Sequence, residues 1–365
     1  MRYILRLSLF SVLFILVHAC SQDGPPQANI PSVDPQSVQI GSLDVVISQE
    51  TDLLGEPREI VYMDEQHFAI YDHAFNKIMV FDTSGSKQYD FGSVGRGPGE
   101  WDPMSGAADL NFRNDQFLTT NREEFRLDLF SREGEHIKTI PYSHYPRYSQ
   151  KVWIADNELL VSTLGKENAL AVVTSLDDEE DIRQRIGKPA TNYSQRVDLD
   201  QERQAYVNGE IPKSAQNEAL AAKTEDGFIL FINALGEIRK YSDQGKLLFK
   251  KLIPNTVRDP IFDHIVQRNT ELDSPGVVAP LQYAKDVQVK NELLYIFIPK
   301  QGLDPNLPDS QLLIYNLQGE LKKQLVFTDP QREHFLYDMM IDHTNTIYLI
   351  DIMNAQVLRY KAELN

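Results

Sequence analysis

Ile70-Tyr71-Asp72-His73-Ala74-Phe75-Asn76-Lys77-Ile78-Met79-Val80-Phe81-Asp82-Thr83-Ser84-Gly85 holds two apolar runs joined by a short polar turn and closed by a second turn. Polar residues that open a turn, with Gly where the chain must take positive φ, are hairpin chemistry. The closing turn recurs as Phe130-Ser131-Arg132-Glu133-Gly134, Tyr241-Ser242-Asp243-Gln244-Gly245 and Tyr315-Asn316-Leu317-Gln318-Gly319, with a degenerate copy at Val173-Thr174-Ser175-Leu176-Asp177. A strand-like run follows each, such as Leu247-Leu248-Phe249. Nine residues before three such aromatics stands a polar residue: Asp72 before Phe81, Asn121 before Phe130 and Asp351 before Tyr360. Leu349-Ile350-Asp351 and Gln356-Val357-Leu358-Arg359-Tyr360 therefore match Ile70-Tyr71-Asp72 and Lys77 to Phe81.

Gly85 to Gly134 is 49 residues, and Gly134 to Gly245 is 111, about two such periods. Quartets of short strands at this spacing are the signature of propeller blades. Six repeats are expected, at roughly 57–100, 104–147, 150–190, 218–253, 284–329 and 335–365. The last stops after its third strand, whereas Leu43-Asp44-Val45-Val46-Ile47-Ser48 is a strand without a partner of its own. The expected fold is thus all-β, a six-bladed β-propeller over 38–365 whose last blade is closed by an N-terminal strand, since an open edge is an aggregation hazard. Two segments interrupt the pattern: 192–217 is polar and rich in Gln and Asn, and 256–272, between Pro254 and Pro275, reads as a helix covering one face.

The N-terminus has a separate logic. Residues 1–19 carry Arg2 and Arg6, no acid, and an apolar run from Leu7 to Val17. That run is shorter than the roughly 20 residues needed to span a bilayer and reads as a secretory signal peptide. Leu16-Val17-His18-Ala19-Cys20 resembles the lipobox of bacterial lipoproteins, with His18 an unusual occupant. The resemblance implies cleavage before Cys20, acylation of that thiol, and an address in the cell envelope, with the outer membrane expected. Cys20 is the sole cysteine, so it has no disulfide partner within the chain. Residues 20–37 are polar and Pro-rich, as suits a flexible tether. The net charge of −17 disfavours nucleic acid and anionic headgroups, leaving the lipid anchor as the membrane contact.

Phe91-Gly92-Ser93-Val94-Gly95-Arg96-Gly97-Pro98-Gly99-Glu100-Trp101, following Lys77 to Asp82, resembles NHL-type repeats and six-bladed propeller lipoproteins of diderm bacterial envelopes. Only the first blade matches in detail. A phosphate loop is disfavoured, because no helix signal follows and Pro98 lacks a donor. Pro98-Gly99 instead suits a type II turn, with Trp101 a plug between blades and Arg96 or Glu100 available to a ligand.

Functional candidates follow from the predicted inner strands. Glu59-Ile60-Val61, Asp109-Leu110-Asn111, Asp286-Val287-Gln288 and Asp338-Met339-Met340 each place an acid at the channel mouth, with Lys151 breaking the series and Glu218 filling another place. The expectation is that these acids bind water and backbone amides at strand starts, with no cofactor; alternatively, crowded carboxylates have raised pKa values or recruit a cation, for which Ca²⁺ is the plausible metal. The loop from Pro141 to Tyr148 offers Tyr142, Tyr145 and Tyr148 to a ligand, or else pads the second and third blades. Related propellers include metal-dependent lyases and lactonases, but His67, His73, His136, His144, His264, His334 and His343 share no channel position, and no nucleophile elbow occurs. The expectation is a binding scaffold for an envelope protein complex or a small molecule.

Overall fold

A computed structural model describes residues 33–48, 53–194, 196–302 and 307–362. The expected signal peptide (1–19), Cys20 and most of the expected tether (20–37) lie outside the described residues. Six four-stranded antiparallel blades follow one another, at 57–91, 107–141, 151–186, 219–252, 286–328 and 336–361, the sixth taking its outermost strand from Asp44–Ile47. In each, the first strand in sequence is innermost, apart from the closing strand of the sixth. The middle strands are covered by a neighbour on both faces. They therefore read as continuous apolar runs, such as Gly227–Ile232 and Thr346–Asp351, every residue of which is buried.

Among the described residues the core resolves into six clusters, one per junction between neighbouring blades. Trp101 is fully buried between the first and second blades with Tyr71, Phe91 and Phe130, as its position predicted. The predicted turns form as well. Gly85, Gly134, Gly245 and Gly319 all have positive φ, and each N–H donates to the carbonyl three residues back. At Gly85 no other residue fits, because a side chain would run into the carbonyl of Val46 on the closing strand.

Closure uses two strands rather than one. Asp44–Ile47 pairs antiparallel with Gln356–Lys361, opposing Val45 to Leu358 and Ile47 to Val357. Before it, Gln36–Gln39 adds a parallel fifth strand to the outer edge of the fifth blade, along Leu325 to Thr328. Gln36 and Ser37, read above as the end of a tether, belong to this strand. Gln-Ser-Val-Gln carries one apolar residue and no alternation, so its pairing by main-chain groups leaves no hydrophobic signal. Val38 and Ile40 then bury between the fifth and sixth blades, and Ile47 between the sixth and first.

The predicted helix forms as Asn255–Glu271 and sinks Val257, Ile261 and Ile265 into the cluster between the fourth and fifth blades. The polar insertion contains a second helix, Leu199–Val207, capped by Asp198, whose side chain accepts from Gln201 N–H. It buries only Tyr206, which explains why no apolar period marks it. Both helices are blade-to-blade connections. They therefore lie on the face where inner strands begin and where second strands turn into third ones, called the upper face below.

Ile47 is 1% exposed at the clasp. Ile47→Ala should cost about 2–4 kcal/mol in urea unfolding. Leu248→Ala, on the half-exposed outer strand of the fourth blade, should cost about 0.5 kcal/mol or less.

Candidate functional site

The six inner strands enclose a cavity of about 1300 Å³. Glu59, Asp109, Asp286 and Asp338, with Lys151 and Glu218, all line it, so the predicted residues come together. Their roles differ, and the difference comes from how the blades are joined at the axis.

An inner strand has one edge paired within its blade and one edge facing the next blade. Its free main-chain groups need partners. Side chains of the preceding blade supply them around the whole ring. Asp338 accepts from Ile60 N–H at 3.2 Å, and Glu59 from Asp109 and Leu110 N–H at 3.2 and 2.6 Å. Asn111 accepts from Trp153 N–H at 3.0 Å and donates to Lys151 C=O at 3.1 Å. Gln150 accepts from Ala221 N–H at 2.7 Å. Asn233 exchanges bonds with Ala284, at 2.8 and 3.0 Å. Gln288 accepts from Ile341 N–H at 3.3 Å and donates to Met339 C=O at 2.8 Å, completing the circuit.

Glu59 and Asp338 are thus tied to backbone amides, the structural role expected for them above. Asp109 and Asp286 are not used as ties, because Asn111 and Gln288, two residues on and on the same face of each strand, do that work. Asp286 accepts from its neighbour Val287 N–H at 2.7 Å and from the Gln288 amide at 2.6 Å. Asp109 sits at a bulge with φ of 51°, a conformation costly for a non-Gly residue and one that re-aims its side chain. Its Oδ2 is buried and accepts no hydrogen bond. Arg122 Nη2 and Lys151 Nζ each stand 3.6 Å from its carboxylate, and the Lys151 and Asp109 side chains are only 3% and 7% exposed.

The acids do not form an unbroken anionic ring, since Lys285, Lys151 and Arg122 stand among them. Among the described residues, no three His, Cys, Asp or Glu side chains are placed to hold a metal ion. Burial pushes Glu59, Asp286 and Asp338 above the usual carboxylate range, and at Asp338 repulsion from Asp286 acts in the same direction. Burial acts to lower Lys285, but Asp338, Tyr337, Glu59 and Asp286 outweigh it and hold the ammonium above its ordinary value. Burial wins at Lys151 and lowers it despite Asp109. Burial raises Glu218 to about 7, against hydrogen bonds from Gln282 and Asn233.

The aromatic loop splits. Tyr142 and Tyr145 are 3% and 2% exposed and pack with Trp153 and Leu159 between the second and third blades, so they are padding and not ligand contacts. Their alternation with polar residues mimicked a surface loop, but both rings fill the gap between blades. Tyr148 alone stays open, 69% exposed at the cavity rim, with the Arg122 and Arg147 guanidinium groups 5.7 and 5.6 Å from its ring centre. Arg96 is exposed, ion-paired with Glu124 at 3.6 Å, and is not among the cavity-lining residues. Its loop is shaped from within. Gly97 to Glu100 closes the predicted turn with Gly99 at φ 73°, and the Glu100 carboxylate accepts from Gly97 N–H at 2.8 Å and so serves its own turn.

Arg122 and Lys285 were missed by sequence reasoning. Arg122 comes from the turn after the second strand, and Lys285 precedes the inner strand, so neither falls in the acid-apolar-apolar pattern. The ties Asn111 and Gln288 were legible in principle, as the amide two residues beyond an acid in both repeats.

No family model matches the sequence, and no curated protein matches it. The chain is similar in structure to the C-terminal WD40 domain of Sif2, at 10% identity over 89% of this chain and 99% of that one, with a TM-score of 0.46. It is likewise similar to the WD40 propeller domain of Doa1, at 9% identity over 88% and 98%, TM-score 0.46. A third similar structure is virginiamycin B lyase from Staphylococcus aureus, at 12% identity over 89% of each chain, TM-score 0.45. The six-bladed assignment rests on the strand pairing described above.

Glu218 offers a check on these electrostatics. Its carboxyl takes up protons more readily folded, at about 7, than at its ordinary 4.5, so ionisation opposes folding. Its contribution is intact below pH 4.5 and is lost as pH rises through 7. Glu218→Gln should remove part of the fall in melting temperature over that window, a difference on the order of 2 kcal/mol by pH 8.

Proposed function

We propose that this protein is a lipid-anchored envelope protein whose propeller is a binding module, with its ligand received at the upper mouth of the central channel. The observation that carries this reading is the convergence of Asp109, Arg122, Lys151 and Tyr148 on an open cavity, with a buried acceptor on Asp109 that takes no hydrogen bond and a partly exposed guanidinium on Arg122. Tied inner strands make the surrounding wall stiff, which keeps such groups preorganised. Catalysis by a histidine-bound metal or an activated nucleophile is disfavoured. Among the described residues lining the cavity there is no histidine, serine, threonine or cysteine. The likeness of residues 91–101 to NHL-type repeats suits a scaffold role, since its Gly-Pro-Gly turn and Trp101 serve blade packing. Anchoring rests on the lipobox-like run ending in Cys20, and several acyl chains would hold where one would not.

In a bacterial host, radiolabelled palmitate should enter the protein, and Cys20→Ala should abolish the label and move the protein to the soluble fraction. Label retained by Cys20→Ala would remove the anchor. For the binding module, the tagged full chain is recovered from an envelope extract and whatever accompanies it, protein or small molecule, is identified by mass spectrometry. Tyr148→Ala with Arg122→Ala should lose that species, while Leu248→Ala on the outer edge should keep it. Equal recovery with all three would move the site away from the mouth.

A further inference from the structure

We propose that the upper mouth is built for the free ends of a short peptide, with the ligand carboxylate on Arg122, a peptide N–H on Asp109, and the ligand ammonium on Asp286. The inference rests on the reading of the mouth as a binding site and names the ligand class.

Three features carry it. The first is a division of charge across the mouth. On the wall of the second and third blades, two bases, Arg122 and Lys151, face one acid, Asp109. On the wall of the fifth, sixth and first blades, three acids, Asp286, Asp338 and Glu59, surround Lys285, while Lys300, on the turn after the second strand of the fifth blade, is paired with Asp309 at 3.5 Å. A purely cationic ligand meets repulsion at the first wall, and a purely anionic one meets at the second only carboxyl acceptors and the acid-enclosed Lys285. A molecule with opposite charges at its two ends gains at both, and the walls would repel it in the wrong orientation.

The second feature is unused hydrogen-bonding capacity. Asp109 Oδ2 is buried without a donor, and the Lys151 and Arg122 nitrogens lie 3.6 Å from its carboxylate, beyond hydrogen-bond length. A peptide N–H supplies the missing donor. Arg122 is 30% exposed and can turn its free N–H groups to a carboxylate, with Lys151 behind it as a buried positive charge. Asp286 spends one bond per oxygen on Val287 N–H and the Gln288 amide, and each oxygen keeps a lone pair for an ammonium.

The third feature is the rim. Tyr148 stands exposed over Arg122 and offers a flat apolar face to the chain between the two ends. The backbone of Asp109 is held in its unusual conformation while the equivalent acids Glu59 and Asp338 serve as ties. Neither of those two shares its φ of 51°, and the Asp109 carboxylate alone of the three has no tie to make.

The experiment titrates the full chain in detergent at neutral pH with four peptides by calorimetry: triglycine, N-acetyl-triglycine, triglycine amide, and N-acetyl-triglycine amide. Triglycine should bind, and blocking either end should weaken it about tenfold, the size of one charge-assisted contact. Arg122→Gln should erase the preference for a free carboxylate and leave that for a free ammonium. Asp286→Asn should do the reverse. Melting curves check that both variants fold, and if one does not, the four peptides on the native chain decide alone. Equal affinity for the doubly blocked peptide would overturn the assignment of the ends. No heat from any peptide up to about 10 mM, with capture still dependent on Tyr148 and Arg122, would overturn the peptide class and leave the binding reading standing. Absence of both would remove the binding reading too.

Discussion

The molecule depends on how the free edges of its inner strands are satisfied. Blades of a propeller meet through side chains and not through shared ladders, so the edge nearest the axis would face water or vacancy. Here each blade reaches sideways with one carboxylate or amide and meets main-chain groups of the next. Charge-assisted bonds of this kind to carboxylates are stronger than neutral ones, and breaking one would orphan a buried amide. The circuit sets the diameter of the channel, because each tie fixes the spacing of two neighbouring strands at their innermost point.

The same circuit decides which polar groups remain for chemistry. Of five acids near the upper mouth, Glu59 and Asp338 are occupied by amides, and Glu218 accepts from Gln282 at 2.6 Å. Asp109 and Asp286 are left because amides two residues further on took over their blades' ties. Burial of this mixed population disfavours charge on most of the carboxylates, while Lys285 keeps its proton because so many acids surround it. Charge of both signs in one stiff concavity is a means of orienting a ligand, not merely of attracting it.

The fold was legible because its signals are local and repeated. Turn residues at Gly85, Gly134, Gly245 and Gly319, the nine-residue spacing to the aromatics, and the unpartnered strand at Asp44–Ile47 all mark the same period. The helix at Asn255–Glu271 was legible from Ile261, Ile265 and the flanking prolines. What escaped had no apolar pattern: Gln36–Gln39 pairs through its main chain and buries only Val38, and Leu199–Val207 buries only Tyr206. The site was half legible. Acids at strand starts were visible as a register, but which of them is free depends on whether an amide two residues on, Asn111 or Gln288, makes the tie instead, and on cations from other segments. The tyrosines misled, since Tyr142 and Tyr145 turn into the gap between blades and Tyr148 turns out.

The double clasp has a mechanical consequence. The described chain enters at Val33 and runs first along the outer edge of the fifth blade, then through the turn at Ile40–Ser42, and only then into the strand that completes the sixth. Any pull from upstream therefore reaches the four-residue parallel strand before it reaches the closure. That strand can peel and lengthen the lead, absorbing tension as a sacrificial link, while Ile47 stays seated and the ring keeps its shape.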